Sequence, residues 1–183
     1  KAYPAAASLF KPCYGADEYL DRRERWCLWL KGISPSVYRG IKPISDAINK
    51  VKEFRASSTR TQTQKFASTP MLFGETRQPQ SEYLIVPLVN TEKRVYVPMD
   101  FFTADIVPTH QLGVIENATL YHFGVLQSIV HMAWMRYVCG RQEMRTRYSV
   151  EIVYNNFPWP TPHDTQKKNF VKTAKALLDE RKK

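Results

Sequence analysis

The sequence predicts a mixed α/β fold of the α+β kind, with short strands packed around a long apolar helix. Phe123, Leu126, Val130, Ala133, Trp134 and Tyr137 recur at helical spacing and make one wide apolar stripe. Short runs rich in valine, isoleucine and aromatics, notably Tyr83–Val89 and Arg94–Pro98, are bounded by polar residues and prolines in the manner of strands. A last segment puts Phe170, Val171, Ala174, Leu177 and Leu178 on one helical face. With 183 residues, 43% of them hydrophobic, the chain is long enough for one well-packed domain and short for two. An aromatic content of 13% excludes a disordered tail despite twelve prolines.

Taken in order, residues 1–24 carry Pro4, Pro12 and Gly15 and read as an irregular lead-in or linker from a preceding domain. The opening KAYPAAASLFKP has no initiator methionine and no apolar signal core, so the sequence reads as a piece of a longer chain. Residues 25–163 form the body. Within it Arg25–Leu30 is a short apolar run expected as a buried strand, and Ser34–Pro35 has the N-cap and N1 residues of a helix start. A cleaner helix begins near Pro43, with Ile44, Ile48, Val51 and Arg55 on one face beside Ala47 and Phe54. Ala56–Ser68 has no apolar period and is expected as a loop. Tyr83–Val89 and Arg94–Pro98 are expected to pair as a hairpin around Asn90–Lys93, with Pro87 placing its strand at an edge or bulge. Phe101–Val107 continues as strand or turn, and Leu112–Leu120 is a short apolar segment broken by Gly113 and Asn117. The long helix then ends at Gly140 as its C′ residue, and Tyr148–Tyr154 follows as a strand stopped by Pro158 and Pro160. Asp164 caps a final helix leading out through residues 164–183.

Several chemistries are excluded. The seven scattered glycines build no phosphate loop, and neither the four histidines nor Cys13, Cys27 and Cys139 fall at metal-ligand spacing. The cysteines read as small core residues in a reducing interior, and His131 reads as a core or interface histidine rather than a base. The longest apolar run, around Ile129, is interrupted by His131 and Arg136 and is too short to span a bilayer. Asn155–Asn156–Phe157–Pro158 resembles the target-amine loop of amino-methyltransferases, but the proline follows the aromatic instead of preceding it. It reads as a turn that packs Phe157 and Trp159 on the core.

The positive evidence is charge and its placement. Twenty-seven Lys+Arg against 17 Asp+Glu give a formal charge of +10, which favours an anionic partner. Arg136, Arg141, Arg145 and Arg147 cluster after the long helix, with Gln142 and Glu143 among them. In an extended segment Glu143, Arg145 and Arg147 share one side. Arginine donates in bidentate fashion to guanine O6 and N7, and a carboxylate accepts from cytosine N4, so this trio suits base readout. The competing reading is a local Glu–Arg network that only holds the loop's shape. Likewise Ala56–Ser68 is either a solvated loop or a segment of Ser, Thr and Gln donors, with Arg60 and Lys65, that follows a phosphate backbone.

The runs YHFGVLQSIVHMAWMRYVCGR and RYSVEIVYNNFPWP, with Glu24–Leu30, Tyr83–Pro98, and Arg55 and Ser58 followed by Ala67, Pro70 and Phe73, cover nearly the whole chain. In this order they resemble the target-recognition region of MmeI-like type II restriction–modification enzymes and their adenine-specific DNA-methyltransferase relatives. The resemblance implies a large cytoplasmic bacterial protein, with residues 25–163 as its target-recognition domain. It implies an S-adenosylmethionine-dependent adenine-N6 methyltransferase core preceding this domain in the same chain, sometimes with a nuclease. The fragment itself would hold no catalytic residue, cofactor or metal, would touch no membrane, and would bind double-stranded DNA. Base reading would fall to Gln111, Arg141, Glu143, Arg145 and Arg147, and phosphate contact to Arg55, Arg60, Lys65, Lys93 and Arg94. Where the family often shows Gly-Arg-Leu-x-Ser-x-Tyr-Arg-Tyr-Ser, this chain has GRQEMRTRYS: Gly140, Arg141, Arg147, Tyr148 and Ser149 match, and the residues between differ. The alternative is a structural or protein-interaction domain of a large nucleic-acid enzyme, which predicts Arg141–Arg147 buried against carboxylates.

Overall fold

A computed structural model describes residues 3–181 and shows the expected mixture of helices and short strands. The chain divides into two compact units, Lys1–Pro12 with Trp26–Arg77, and Cys13–Arg25 with Gln78–Lys183. Lys182 and Lys183, part of the basic tail, lie outside the described residues.

In the first unit the expected irregular lead-in is ordered. A 3-10 turn, Pro4–Leu9, leads into strand β1 (Phe10–Tyr14), whose first residues pair antiparallel with β2 (Trp26–Leu28). The expected strand at Arg25–Leu30 is thus shorter, and burial falls beyond it on Trp29 and Leu30 while Trp26 stays exposed. Helix α1 (Ala16–Asp21) belongs to the second unit. Helix α2 (Pro35–Tyr38) starts at Ser34–Pro35 with Pro35 at N1, although Ser34 Oγ meets Ser36 Oγ (2.9 Å) and does not cap the backbone, and α3 (Lys42–Ala56) carries Pro43 in its first turn, where the missing N–H costs nothing. Leu9, Leu30, Tyr38 and Ile44 form the core of this unit. Phe54, expected on the apolar face of α3, is 73% exposed. At that end of the helix Arg55 takes the inner position. Its guanidinium donates to the carbonyls of Phe66 (3.0 Å), Thr69 (3.0 Å) and Leu72 (2.8 Å). The segment expected as a loop is helical at α4 (Thr61–Lys65) and in a 3-10 turn at Phe66–Ser68. Polar side chains make this possible without an apolar period. Ser58 Oγ accepts from the Arg60 N–H (3.2 Å), and Gln64 Nε2 donates to the Ser58 carbonyl (2.7 Å).

The second unit is built on β3 (Tyr83–Pro87), flanked antiparallel by β5 (Asp100–Phe102) and β7 (Leu112–Glu116). Every residue of β3 is buried, which explains its uninterrupted apolar run. Leu84 and Val86 face one core, with Phe123, Leu126, Met132 and Met135; Tyr83 and Ile85 face another, with Phe102 and Leu112. The expected hairpin with Arg94–Pro98 does not form. Beyond Pro87 the chain turns out of this sheet, with Asn90 Nδ2 donating to the Pro87 carbonyl (2.7 Å), and β4 (Val89–Asn90) joins a different sheet. Pro87 is tolerated in a central strand because β5 reaches only as far as Ile85, so no second partner asks for its N–H. Strand β6 (Val107–Pro108) pairs in parallel with Cys13–Tyr14.

The expected long helix is two helices, α5 (Leu120–Leu126) and α6 (Ile129–Val138). Gln127 at the break donates to the Val97 carbonyl (2.7 Å) and accepts from Arg181 (2.6 Å), and Ser128 caps α6 by accepting from the His131 N–H (3.2 Å). The break resets the helical phase. His131, Met132 and Met135 turn inward, and Val130 (65%) and Tyr137 (91%), expected in the buried stripe, are exposed. Helix α7 (Asp164–Arg181) buries Ala174 and Leu178 and lies close on α5 at Gly124, where an added Cβ would meet Ala174 Cβ and the Phe170 carbonyl at 3.3 Å. Gly140 follows the C-cap Cys139 as the C′ residue, but instead of a left-handed turn it makes the extended start of a strand. Tyr148–Tyr154 is not a strand: Val150–Tyr154 is one π-helical turn, capped by Ser149 Oγ accepting from the Ile152 N–H (3.4 Å). The Asn-Asn-Phe-Pro stretch is scaffold. Asn156 Nδ2 donates to the carbonyls of Glu151 (2.7 Å) and Ile152 (3.1 Å), and Phe157 is buried.

Candidate nucleic-acid interface

The arginine-rich run folds as a hairpin of β8 (Gly140–Gln142) and β9 (Arg145–Arg147), with β4 on the other side of β9. Gln142 pairs with Arg145, so only Glu143 and Met144 make the turn. Glu143, the first of these two, has φ 57°, the positive region that tight hairpin turns use. Glu143 therefore sits in the turn and not in the extended segment expected for it.

Register assigns the faces. Residues directly opposite in an antiparallel pair share a face. Thr146 lies opposite Arg141 and Asn90, and Thr146 and Asn90 are buried. Arg145 and Arg147 alternate with Thr146 and point outward, together with their partners Gln142 and Val89. The expected arginine cluster thus divides: Arg145 and Arg147 share the outward face as expected, whereas Arg141 belongs to the opposite one. Glu143 reaches back to Arg145, Oε2 to NH2 at 3.0 Å, with side chains 77% and 50% exposed. The Glu–Arg pairing that the sequence allowed is present, but in solvent rather than buried against carboxylates. An exposed pair is worth ~1 kcal/mol or less and opens readily to a ligand.

The base of the hairpin is rigid. The Tyr148 N–H donates to the Leu88 carbonyl (2.7 Å), and its buried phenol meets Nε2 of fully buried His131 at 3.2 Å. The His131 ring stands edge-on to Phe157 at 4.8 Å, and Trp134 Nε1 donates to the Val153 carbonyl (2.9 Å). Burial pushes the imidazole down to about 4, against the pull of the Leu126 backbone, so His131 is neutral at pH 7. Burial likewise raises the Tyr148 phenol. His131 is the core histidine the sequence indicated.

Gln111 reaches the same region by way of Leu88, whose N–H donates to the Gln111 carbonyl (2.9 Å). The side-chain oxygen of Gln111 accepts from the Ala16 N–H at the start of α1 (3.1 Å). This contact requires Gly15, because a Cβ there would lie 2.1 Å from that oxygen. Glu18 closes the same helix start by accepting from the Gly15 N–H (2.8 Å); burial works to raise its pKa, and this bond together with Arg25 outweighs it and leaves the carboxyl low.

Of the five phosphate candidates, Arg55 holds its own segment together and turns three donors inward. Arg60 and Lys65 flank α4 in the first unit, exposed and in no ion pair among the described residues. Lys93 and Arg94 lie exposed in the turn after β4, in the second unit with the hairpin. Arg136 donates to the Val95 carbonyl. Sequence reasoning passed over Gln142 and Val89 on the outward face; the turn length that sets their register was the missing signal. Among the described residues no cluster of His, Cys, Asp and Glu is placed to hold a metal ion, and no helix is long and apolar enough to cross a membrane.

Comparison with known proteins places this geometry in a family. The chain matches over 98% of its length, with a TM-score of 0.94 and 38% identity, the type IIL restriction-modification enzyme MmeI, whose structure was solved in complex with DNA, and covers 24% of that chain. It is 34% identical over 172 residues to DNA methyltransferase A of Bacillus subtilis (strain 168), a match that takes in 94% of this chain and 20% of the relative. The chain therefore spans about a quarter and a fifth of the length of these two relatives. The family model described as "MmeI, target recognition domain" matches residues 1–161, and the chain belongs to that family.

Proposed function

We propose that this chain reads a double-stranded DNA sequence on behalf of a bacterial, cytoplasmic restriction–modification enzyme. The rest of that polypeptide would carry an adenine-N6 methyltransferase using S-adenosylmethionine. Asn156 is hydrogen-bonded to Glu151 and Ile152 and Phe157 is buried, which supports reading the Asn-Asn-Phe-Pro stretch as scaffold and not as a target-amine loop. The job of this chain is to fix register on the duplex so that a target adenine is presented elsewhere for extrusion and chemistry. Residues 25–163 carry that task and α7 leads out of it.

The observation that carries the reading is the outward face of the hairpin. A two-stranded ribbon fits the major groove, and this one aims Arg145 and Arg147 away from a rigid base, with a carboxylate at its tip. Arg145 donates to guanine O6 and N7 while Glu143 accepts from cytosine N4, so the pair reads one C·G base pair. Arg147 is two residues along, ~7 Å, about two base-pair steps. Gln111 keeps its amide donors for a base edge, and Arg141, on the other face, borders the groove. Arg60, Lys65, Lys93 and Arg94 contact phosphates, and Arg55 shapes the segment that presents two of them.

The test is binding to a cognate duplex and to single-base variants across a salt series. Arg145→Ala should lose discrimination at one position by roughly 1–3 kcal/mol and leave the salt slope nearly unchanged. Equal weakening on every duplex would refute base reading by this residue.

A further inference from the structure

We infer that the cleft beside the edge strand β5 binds an unpaired guanine nucleotide, with Asp100 reading the base edge and Arg22 holding the phosphate. The inference goes beyond the DNA-reading proposal and uses none of its residues.

The cleft has a volume of about 630 Å³, room for one nucleotide, and every residue lining it belongs to the second unit. In β5, Asp100 and Phe102 lie opposite Ile85 and Tyr83 and share their face of the sheet. Buried Phe102 makes the floor, with the Tyr14 and Tyr19 rings edge-on to it at 5.8 and 5.7 Å. Tyr96 lines the same cleft and is 42% exposed, so its ring is open to a ligand. Aromatic walls of this kind suit a flat base taken out of a stack.

Asp100 sets which base. The Phe101 N–H donates to its Oδ1 (2.8 Å), and the carboxylate is in no ion pair among the described residues. The cleft's own arginines are engaged elsewhere: Arg181 donates to the Met99 carbonyl (2.9 Å) and to Gln127 (2.6 Å), and Arg23 pairs with Asp21 (2.7 Å). Burial, and after it the Asp100 charge, raises the Tyr19 phenol, which stays a neutral hydroxyl beside the carboxylate. A carboxylate only accepts, so its best flat partner carries N–H groups side by side. Guanine has them at N1 and N2. Adenine, cytosine and thymine each set an acceptor next to the donor, which a carboxylate repels. Pairing with cytosine would occupy both guanine groups, so the nucleotide must be unpaired. A cationic ligand would meet Arg22, Arg23 and Arg181 in the same space.

Arg22 supplies the counter-charge. It ends α1 with φ 54°, a left-handed position where glycine is usual and a side chain costs about 1 kcal/mol. Its guanidinium makes no ion pair among the described residues. A free cation kept at that cost on the rim of a cleft suits a phosphate. Of the neighbouring carboxylates, Glu18 is taken by Gly15 and Arg25, and exposed Glu24 opposes the phosphate.

The experiment is calorimetric titration of the chain with guanosine, inosine, adenosine and cytidine monophosphates, and with guanosine itself. Guanosine monophosphate should bind about tenfold more tightly than the adenine and cytosine nucleotides, with the inosine nucleotide, which lacks the N2 amine, in between. Asp100→Asn keeps the acceptor for Phe101 and should abolish the preference. Arg22→Gly should weaken guanosine monophosphate by about tenfold, leave guanosine unchanged and not lower the melting temperature. Glu24→Gln should tighten the phosphorylated ligands only. No binding of guanosine monophosphate at millimolar concentration, or a preference that survives Asp100→Asn, overturns the inference. Displacement of the bound nucleotide by a duplex with one bulged guanine, and not by the same duplex fully paired, would identify DNA as its source. Displacement by neither would identify the free nucleotide, and equal displacement by both overturns the requirement for an unpaired base.

Discussion

Replacing His131 with glutamine should flatten the acid sensitivity of the fold without touching the hairpin tip. His131 is fully buried, its Nε2 faces the Tyr148 phenol at 3.2 Å, and burial holds its pKa at about 4 against an ordinary 6.5. The sign follows from which state takes the proton. Between 6.5 and 4 the unfolded chain binds a proton at this imidazole and the folded chain does not. The stability His131 contributes is therefore complete above 6.5 and is lost as pH falls toward 4. The full difference corresponds to about 3 kcal/mol, of which about 2 kcal/mol is lost between pH 7 and pH 5. His122 and Glu18, both with lowered pKa values, pull the same way but persist in the variant, so the difference between the two proteins isolates His131. Urea unfolding at pH 7, 6 and 5 measures it. The stability gap between wild type and His131→Gln should narrow by about 2 kcal/mol over that range. A gap of constant size would mean that the imidazole is protonated or hydrated in the folded state, and the argument from burial would be wrong.

Two other substitutions separate architecture from reading. Arg55→Ala removes three charged hydrogen bonds to the carbonyls of Phe66, Thr69 and Leu72. It should cost about 2–3 kcal/mol, and amide exchange should accelerate between Thr61 and Leu72 while the β3 sheet stays protected. Glu143→Gly relieves a left-handed backbone at φ 57° and should raise stability by about 1 kcal/mol, seen as a melting point a few degrees higher, yet abolish discrimination at the C·G position.

The sequence made helices legible where their first turns and faces were local. Pro35, Pro43 and the apolar face of the last helix lie where their chemistry puts them, whereas Ser34 makes no cap bond and Asp164, expected as a cap, is the first residue of the last helix. The strand pairing was less legible because it depends on partners far along the chain. Nothing near Pro87 announces that β3 pairs with Asp100–Phe102 and Leu112–Glu116 instead of Arg94–Pro98. The broken helix was misread for a similar reason. Gln127 and Ser128 look like tolerable interior residues until Val97 and Arg181 are seen bonded to Gln127. At the candidate site the residue types were legible and their faces were not. One extended run put Glu143, Arg145 and Arg147 on one side, whereas a two-residue turn keeps the arginines there, moves Glu143 to the tip and brings in Gln142.

Leu88 donates through its N–H to Gln111 and accepts through its carbonyl from Tyr148, so one peptide unit on each side of this residue ties the two segments proposed to read bases together. Main-chain groups are common to nearly every amino acid. The spacing between the segments is therefore indifferent to what their side chains are, and only a proline at position 88 would remove the donor. Side chains at positions 143, 145 and 147 can be exchanged against this fixed frame, so on the proposed reading a change in the sequence read need not be accompanied by a change in where the reading happens.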